Sequence, residues 1–458
     1  MSLTESSPFE VARAASEASR ELATLSTAAK NEALNAIYNG LKREKDVILL
    51  ANAKDVASAA NAVKEGKLSQ SILKRLDLSR PGKYDDMLQG ILDVRDLEDP
   101  VGKISLRTLM DEDLVLERIS CPIGVLLIIF EARPEVIANI AALAIKSGNS
   151  AILKGGKEST ESFVAISKVI SEAISSTRVP NAAIQLVKTR DVILPLLAQD
   201  KYIDLVIPRG SNDLVRFVKS NTKIPVLGHA DGICSIYLCS DADLSMAIRV
   251  IVDSKTGYPA ACNSVECLLV DADAVETLLP PIAKALLSKG VVLRCDQISK
   301  AALEPTVPSS QIHLLQDSSE SDYETEFLDL VLAVKTVVPT TSHSALEIAI
   351  SHINSHSSKH TDVILTSSKQ SAERFLRGVD SAGVFWNTST RMSDGMRYGF
   401  GTEIGISTNK IHSRGPVGLE GLTIYKYVIR GNGQVASDYH QGEGGRRWKH
   451  QSLDVGGN

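Results

Sequence analysis

Between Gly124 and Ile207 the chain alternates short apolar runs with helical periodicity, and this rhythm constrains the fold more than any other feature. Gly124 to Phe130 reads as a buried strand and Pro134 to Ser147 as a helix, with the proline in its first turn. Gly148-Asn149 is a turn before a strand from Ser150 to Leu153. Gly155-Gly156 leads into a helix over about 158–176, and Ala183 to Val187 and Leu205 to Ile207 read as further strands. Strands separated by helices make βαβ units, so the spacing predicts a parallel, doubly wound sheet.

Ahead of this block, residues 8 to 78 are helical in pattern, with Val11, Ala14, Ala15, Ala18, Leu22 and Leu25 at helical spacing and a second stretch from Ala29 to Leu50. Residues 101–120 alternate and read as strands. After Pro225 the pattern restarts. Ser235 to Leu238 and Cys267 to Val270 are strands, and Ala274 to Lys289 is a helix. The chain therefore divides into a first domain over 1–225, a second α/β domain over 226–387, a return over 388–430, and a tail over 431–458. Seven of the 28 tail residues are Gly, so a mobile segment, or one laid over a partner surface, is expected there.

The chain has 458 residues, 43% of them hydrophobic, with a net charge of −5 and only 4% aromatics. Neither a basic footprint nor a stacking surface for nucleic acid follows from that. The longest strongly apolar run, Val125 to Phe130, is far short of the ~20 residues that cross a bilayer, and the N-terminus has no signal-peptide pattern. A soluble, cytoplasmic protein is expected. The six cysteines show no CxxC pair and no metal-ligand spacing, which fits a reducing compartment and no bound metal.

Cys262 stands apart from the other five. It lies in Thr256-Gly257-Tyr258-Pro259-Ala260-Ala261-Cys262-Asn263-Ser264-Val265-Glu266, where small neighbours leave the sulfur open to a substrate and a cofactor. A thiolate is a strong nucleophile and can carry an acyl group as a thioester. Two strand–loop–helix junctions offer anion sites. Lys154-Gly155-Gly156-Lys157 puts two lysines around a glycine pair at a helix start, and Pro208-Arg209-Gly210-Ser211-Asn212 repeats the arrangement. The spacing serves a nucleotide phosphate or a solvated turn equally well. The run Gly399 to Gly405 misses the G-x-G-x-x-G spacing by one residue and reads as a loop.

Several ordered segments share one likeness: Phe130-Glu131-Ala132-Arg133-Pro134-Glu135-Val136, Lys146 to Gly156, Pro208 to Ser211, Val226 to Gly232, Tyr258 to Glu266, and Trp386 to Leu419. Together they span residues 10–430, and over that length the chain resembles the aldehyde dehydrogenase superfamily, most closely its branch that reduces an acyl phosphate. The resemblance implies two doubly wound α/β domains, an NADP-binding one and one bearing the catalytic cysteine, plus a small β oligomerisation element built from 101–120 and Leu422 to Ile429. It implies that Cys262 is the nucleophile, and that L-glutamyl 5-phosphate is reduced by NADPH to L-glutamate 5-semialdehyde and phosphate, the second step from glutamate to proline. A homodimer or homotetramer is implied, with a glutamate 5-kinase as a metabolic partner. A CoA-acylating or other aldehyde dehydrogenase is the alternative.

Residue by residue, the likeness puts Lys154, Gly156, Lys157, Ser211 and Glu326 at the cofactor, with Lys157 facing a 2′-phosphate and Glu326 the nicotinamide ribose. Hydrolytic members carry a general-base Glu where this chain has Val226, 36 residues ahead of Cys262. Valine takes no proton, so a thioester here is shielded from activated water. The superfamily's oxyanion Asn corresponds to Ala132, which shifts that duty to the Cys262 backbone N–H or to Asn263. Arg133 and Arg391 are candidates for the substrate's carboxylate and phosphate, and His360 is either a hydrogen-bonded structural residue or a lining residue of the same pocket.

Overall fold

A computed structural model describes every residue except Met1, Glu5, Ala132, Lys188 to Asp191, Ala230 and Gly456 to Asn458. The chain forms two units: residues 1–227, 400–405 and 417–458 make the first, and residues 228–399 and 406–416 the second. The return to the first unit therefore comes later than expected from 388 onward, since 388–399 and 406–416 group with the second.

The first unit is built on five parallel strands in the order Ser2–Thr4, Ile184–Val187, Ser150–Gly155, Val125–Phe130, Leu205–Arg209. Every residue of Val125–Phe130 is buried, which is why its sequence shows no polar alternation. Leu126, Ile128 and Phe130 enter one core with the helices Thr27–Arg43 and Val136–Ser147, and Val125, Leu127 and Ile129 enter a second core with Val11 and Ala15. One strand thus feeds both faces, the pattern of a doubly wound sheet. The expected stretch 29–50 is broken at Glu44 into Thr27–Arg43 and Lys45–Lys64. Pro134 lies in a turn ahead of Val136–Ser147 rather than inside its first turn.

The same unit carries an antiparallel ribbon. Thr423–Arg430 pairs with Leu114–Pro122, which pairs with Ile104–Asp111 and then Gln451–Ser452. The tail expected to be mobile is held here. Tyr439 stacks on Trp448 with ring centroids 3.7 Å apart, its hydroxyl donates to Asp111 at 2.9 Å, and Arg446 pairs with Asp111 at 2.6 Å.

The second unit is a parallel sheet of seven strands in the order Leu315–Asp317, Val292–Cys295, Val331–Val337, Val265–Asp271, Cys234–Leu238, Thr361–Leu365, Gly383–Trp386. Its two faces bury Ile236, Leu268 and Val270 on one side and Tyr237, Cys267 and Leu269 on the other. The helix expected over 274–289 is confined to Leu279–Leu287, because Pro280 and Pro281 fit only its first turn. Among the described residues no helix is long and apolar enough to cross a membrane.

Candidate active site

The strand ends of each unit present a distinct chemistry. In the first unit a cavity of about 240 Å³ opens at the carboxyl ends of the parallel strands, where α/β sheets bind ligands. Phe130, Lys154, Gly155, Gly156 and Lys157 line it. A Cβ on Gly155 would lie 1.9 Å from the Phe163 ring, so only glycine lets this loop pass. Lys154 is buried and its Nζ donates to the Gly155 carbonyl oxygen, while Lys157 stands exposed at the start of a 3-10 turn. Two cations beside a glycine-lined cavity suit a nucleotide phosphate.

The helix starts themselves are already occupied by carboxylates of the chain. Asp55 accepts from the Ser162 amide at 2.8 Å and from the Glu161 amide at 3.2 Å, at the first turn of Thr160–Ser175. Glu131 accepts from the Ser211 amide at 2.9 Å, at the N-cap of Asn212–Ser220. Ser211 also caps that helix with its hydroxyl, which accepts from Leu214 at 3.4 Å. The expected anion site at 208–212 is filled by Glu131, and Lys154 and Lys157 are the cations at the cavity.

In the second unit Cys262 sits in a turn between the helix Leu244–Thr256 and the strand Val265–Asp271. The turn is tied at both ends. Lys255 and Glu266 form a fully buried ion pair at 2.6 Å, and Lys255 also donates to the Val265 carbonyl oxygen at 3.0 Å. Burial pulls the Lys255 ammonium down and pushes the Glu266 carboxyl up, each opposed by its partner. The turn is also backed by Gly232, where a Cβ would come within 2.3 Å of the Cys262 carbonyl oxygen.

Thiol chemistry separates the six cysteines. Burial pushes Cys239, Cys267 and Cys295 up to about 12, Cys234 well above its ordinary value, and Cys121 upward. These five are poor nucleophiles at neutral pH. Cys262 is half-buried and in the electrostatic field of Arg391. Arg391 follows Ser389, whose hydroxyl accepts from the Arg391 amide at 3.2 Å, and its guanidinium lies 6.0 Å over the Tyr258 ring. Among the described residues no carboxylate comes into salt-bridge range of it.

His360 is fully buried, with Nδ1 2.8 Å from the Thr361 hydroxyl. His229, whose sequence neighbourhood signals no role for it, meets it edge to face at 5.3 Å between ring centroids. Glu326 joins the group: the Gly232 amide donates to it, and burial pushes its carboxyl up against that bond and the nearby His229. Asn263 is buried with Nδ2 donating to the Ser393 carbonyl oxygen at 3.1 Å, and its Oδ1 has no partner among the described residues. The Nδ2 bond ties the Cys262 turn to the segment that follows Arg391. Ala132 lies outside the described residues. Arg133 is half-buried in the first unit, where its charge acts on Lys83. The second unit thus brings together Cys262, Arg391, His360 and Glu326, and the first holds Lys154, Gly156, Lys157, Ser211 and Arg133.

Two parallel-sheet units, one with a cation-lined cavity at its strand ends and one with a half-buried thiol, define a class, and a model of the aldehyde dehydrogenase family matches residues 3–316; the chain belongs to that family. A probable γ-glutamyl phosphate reductase of Schizosaccharomyces pombe is 52% identical over 434 residues, 95% of this chain and 94% of that one. The γ-glutamyl phosphate reductase of Saccharomyces cerevisiae is 49% identical, over 98% of this chain and 99% of that one. The crystal structure of the Thermotoga maritima γ-glutamyl phosphate reductase superposes with a TM-score of 0.85 at 36% identity, covering 94% of this chain and 100% of that one. Within the family the chain falls among the γ-glutamyl phosphate reductases, and it is an oxidoreductase.

Proposed function

We propose that the chain reduces L-glutamyl 5-phosphate to L-glutamate 5-semialdehyde and phosphate with NADPH, through a thioester on Cys262, as the second step from glutamate to proline. The observation that carries this reading is the setting of Cys262, a half-buried thiol held beside the Arg391 charge and two imidazoles. Arg391 receives the anionic substrate. The thiolate attacks the acyl carbon, the bond to the phosphate oxygen breaks, and phosphate leaves. The nicotinamide cofactor, when bound, supplies a hydride. The tetrahedral adduct then loses its carbon–sulfur bond, which frees the aldehyde and restores the thiolate. Lys154 and Lys157 hold the cofactor's anionic groups, with Lys157 on the 2′-phosphate, and Glu326 its nicotinamide ribose. Val226 has no proton acceptor, so no side chain at that position activates water against the thioester. We further propose that the chain self-associates along its β ribbon.

The reverse reaction tests this reading: NADP reduction by glutamate semialdehyde, with and without phosphate. Activity that requires phosphate and is lost in Cys262→Ala is expected. Turnover without phosphate would mean that water cleaves the thioester, and would return a hydrolytic aldehyde dehydrogenase to the front.

A further inference from the structure

Three potential metal ligands converge on the nucleophile. One ligand atom from each of His229, Cys262 and His360 lies within 4.8 Å of the others. The His360 ring is fully buried, and its Nε2 has no hydrogen-bond partner among the described residues. His229 Nδ1 lies 3.0 Å from the Ile406 carbonyl oxygen. A carbonyl only accepts, so Nδ1 carries the hydrogen and Nε2 keeps its lone pair. A backbone carbonyl behind one ring nitrogen is the support that orients metal-ligating histidines. The Thr361 hydroxyl, 2.8 Å from His360 Nδ1, orients the second ring, and where it accepts from Nδ1–H it leaves Nε2 with its lone pair.

We propose that His229, Cys262 and His360 form a binding site for a soft divalent cation of the zinc class, which masks the nucleophile reversibly. Two imidazole nitrogens and a thiolate are a preferred zinc donor set, and three protein ligands leave a fourth position for water. Zinc bonds of about 2.3 Å to sulfur and about 2.0 Å to nitrogen place tetrahedral ligands roughly 3.3–3.6 Å apart. Side-chain shifts of about an ångström bring the three atoms to that spacing. On binding, the thiol proton passes to water and a sulfur–metal bond forms, with no change of oxidation state. A metal-bound sulfur shares its negative charge with the ion and is a weaker nucleophile toward the acyl carbon, so the ion acts as an off-switch that a chelator reverses. The proposal needs only the geometry and is independent of the substrate assigned above.

Titration of the full-length, metal-free protein with zinc chloride by calorimetry, without substrate, tests it. One ion per chain is expected, with affinity at least about tenfold weaker in His229→Asn, His360→Asn and Cys262→Ser. Cadmium chloride is expected to raise a thiolate-to-cadmium ultraviolet band in the unaltered protein that Cys262→Ser lacks. Zinc is expected to slow iodoacetamide labelling of Cys262, and EDTA to restore it. Histidine variants that bind as tightly as the parent would reduce the site to a lone thiol and overturn the proposal, as would the absence of binding. If His360→Asn does not fold, the half-buried His229→Asn and the cadmium band of the parent decide.

Discussion

Gly232 is the residue on which the placement of the nucleophile turns. Its amide donates to Glu326, and its missing side chain leaves room for the Cys262 backbone. A methyl group would meet a carbonyl oxygen at 2.3 Å and a Cα at 2.5 Å, and backbone cannot yield as a flexible side chain does. Gly232→Ala is expected to cost about 1–3 kcal/mol by overpacking. An ångström of displacement at a reacting atom can cost about a hundredfold in rate, so kcat is expected to fall more than stability does. Thermal melts alongside kcat check this; an unchanged kcat would remove Gly232 from the positioning of the sulfur. Lys157 makes the matching test in the first unit. Its exposed ammonium at the cavity rim is expected to contribute about 1.5–3 kcal/mol to a 2′-phosphate contact, about ten- to a hundredfold in affinity. Lys157→Ala should lose that factor with NADP and keep its kcat/KM with NAD. Equal losses with both cofactors would assign the lysine to another part of the molecule.

At the scale of elements, the Cys262 turn is held by a buried charge pair and a distant return segment. Lys255 closes the helix Leu244–Thr256 onto Glu266 in the neighbouring strand. Removing one partner strands the other in a dry interior. Glu266→Gln is therefore expected to cost about 3–5 kcal/mol in urea unfolding, and Lys255→Met with Glu266→Leu to recover most of it. A double variant as weak as the single one would mean that the charges themselves are required. The return segment 406–416 supplies the Ile406 carbonyl to His229 and is pinned by Asp380, which binds Lys410 at 2.7 Å and Arg414 at 3.0 Å. The Lys410 and Arg414 bonds hold the Asp380 carboxyl down to about 2. A depressed acid stabilises the fold above its ordinary value and loses that contribution as pH falls through its folded value. The stability from this anchor is thus complete above about pH 4 and declines toward pH 2. Melting curves over that range should fall more steeply in the parent than in Asp380→Asn.

At the scale of the whole molecule, the strand–helix alternation was legible because each fully buried strand is a short unbroken apolar run, as Val125–Phe130 shows. The nucleophile was legible because Cys262 lies among small residues in one continuous segment. What escaped depends on partners far apart in the chain. His229 gains its anchor from Ile406, 177 residues on, and the tail is held by Asp111, 328 residues before Tyr439. No local periodicity reports such pairs. The carboxylates that fill the two helix starts come from Asp55 and Glu131, again remote from the amides they bind. The ribbon follows the same logic one level higher. Thr423–Arg430 is an edge strand, and Tyr425, Tyr427 and Ile429 share one face at 50%, 58% and 57% exposure. An apolar edge with unpaired backbone groups invites a second strand that covers it. A second copy of this chain is the proposed cover. Sedimentation velocity is expected to show an assembly in the parent and a monomer in a Tyr427→Lys, Ile429→Lys variant, with the melting curve of the variant still cooperative. A parent that sediments as a monomer would leave the ribbon without that role, and the exposed tyrosines would need another partner.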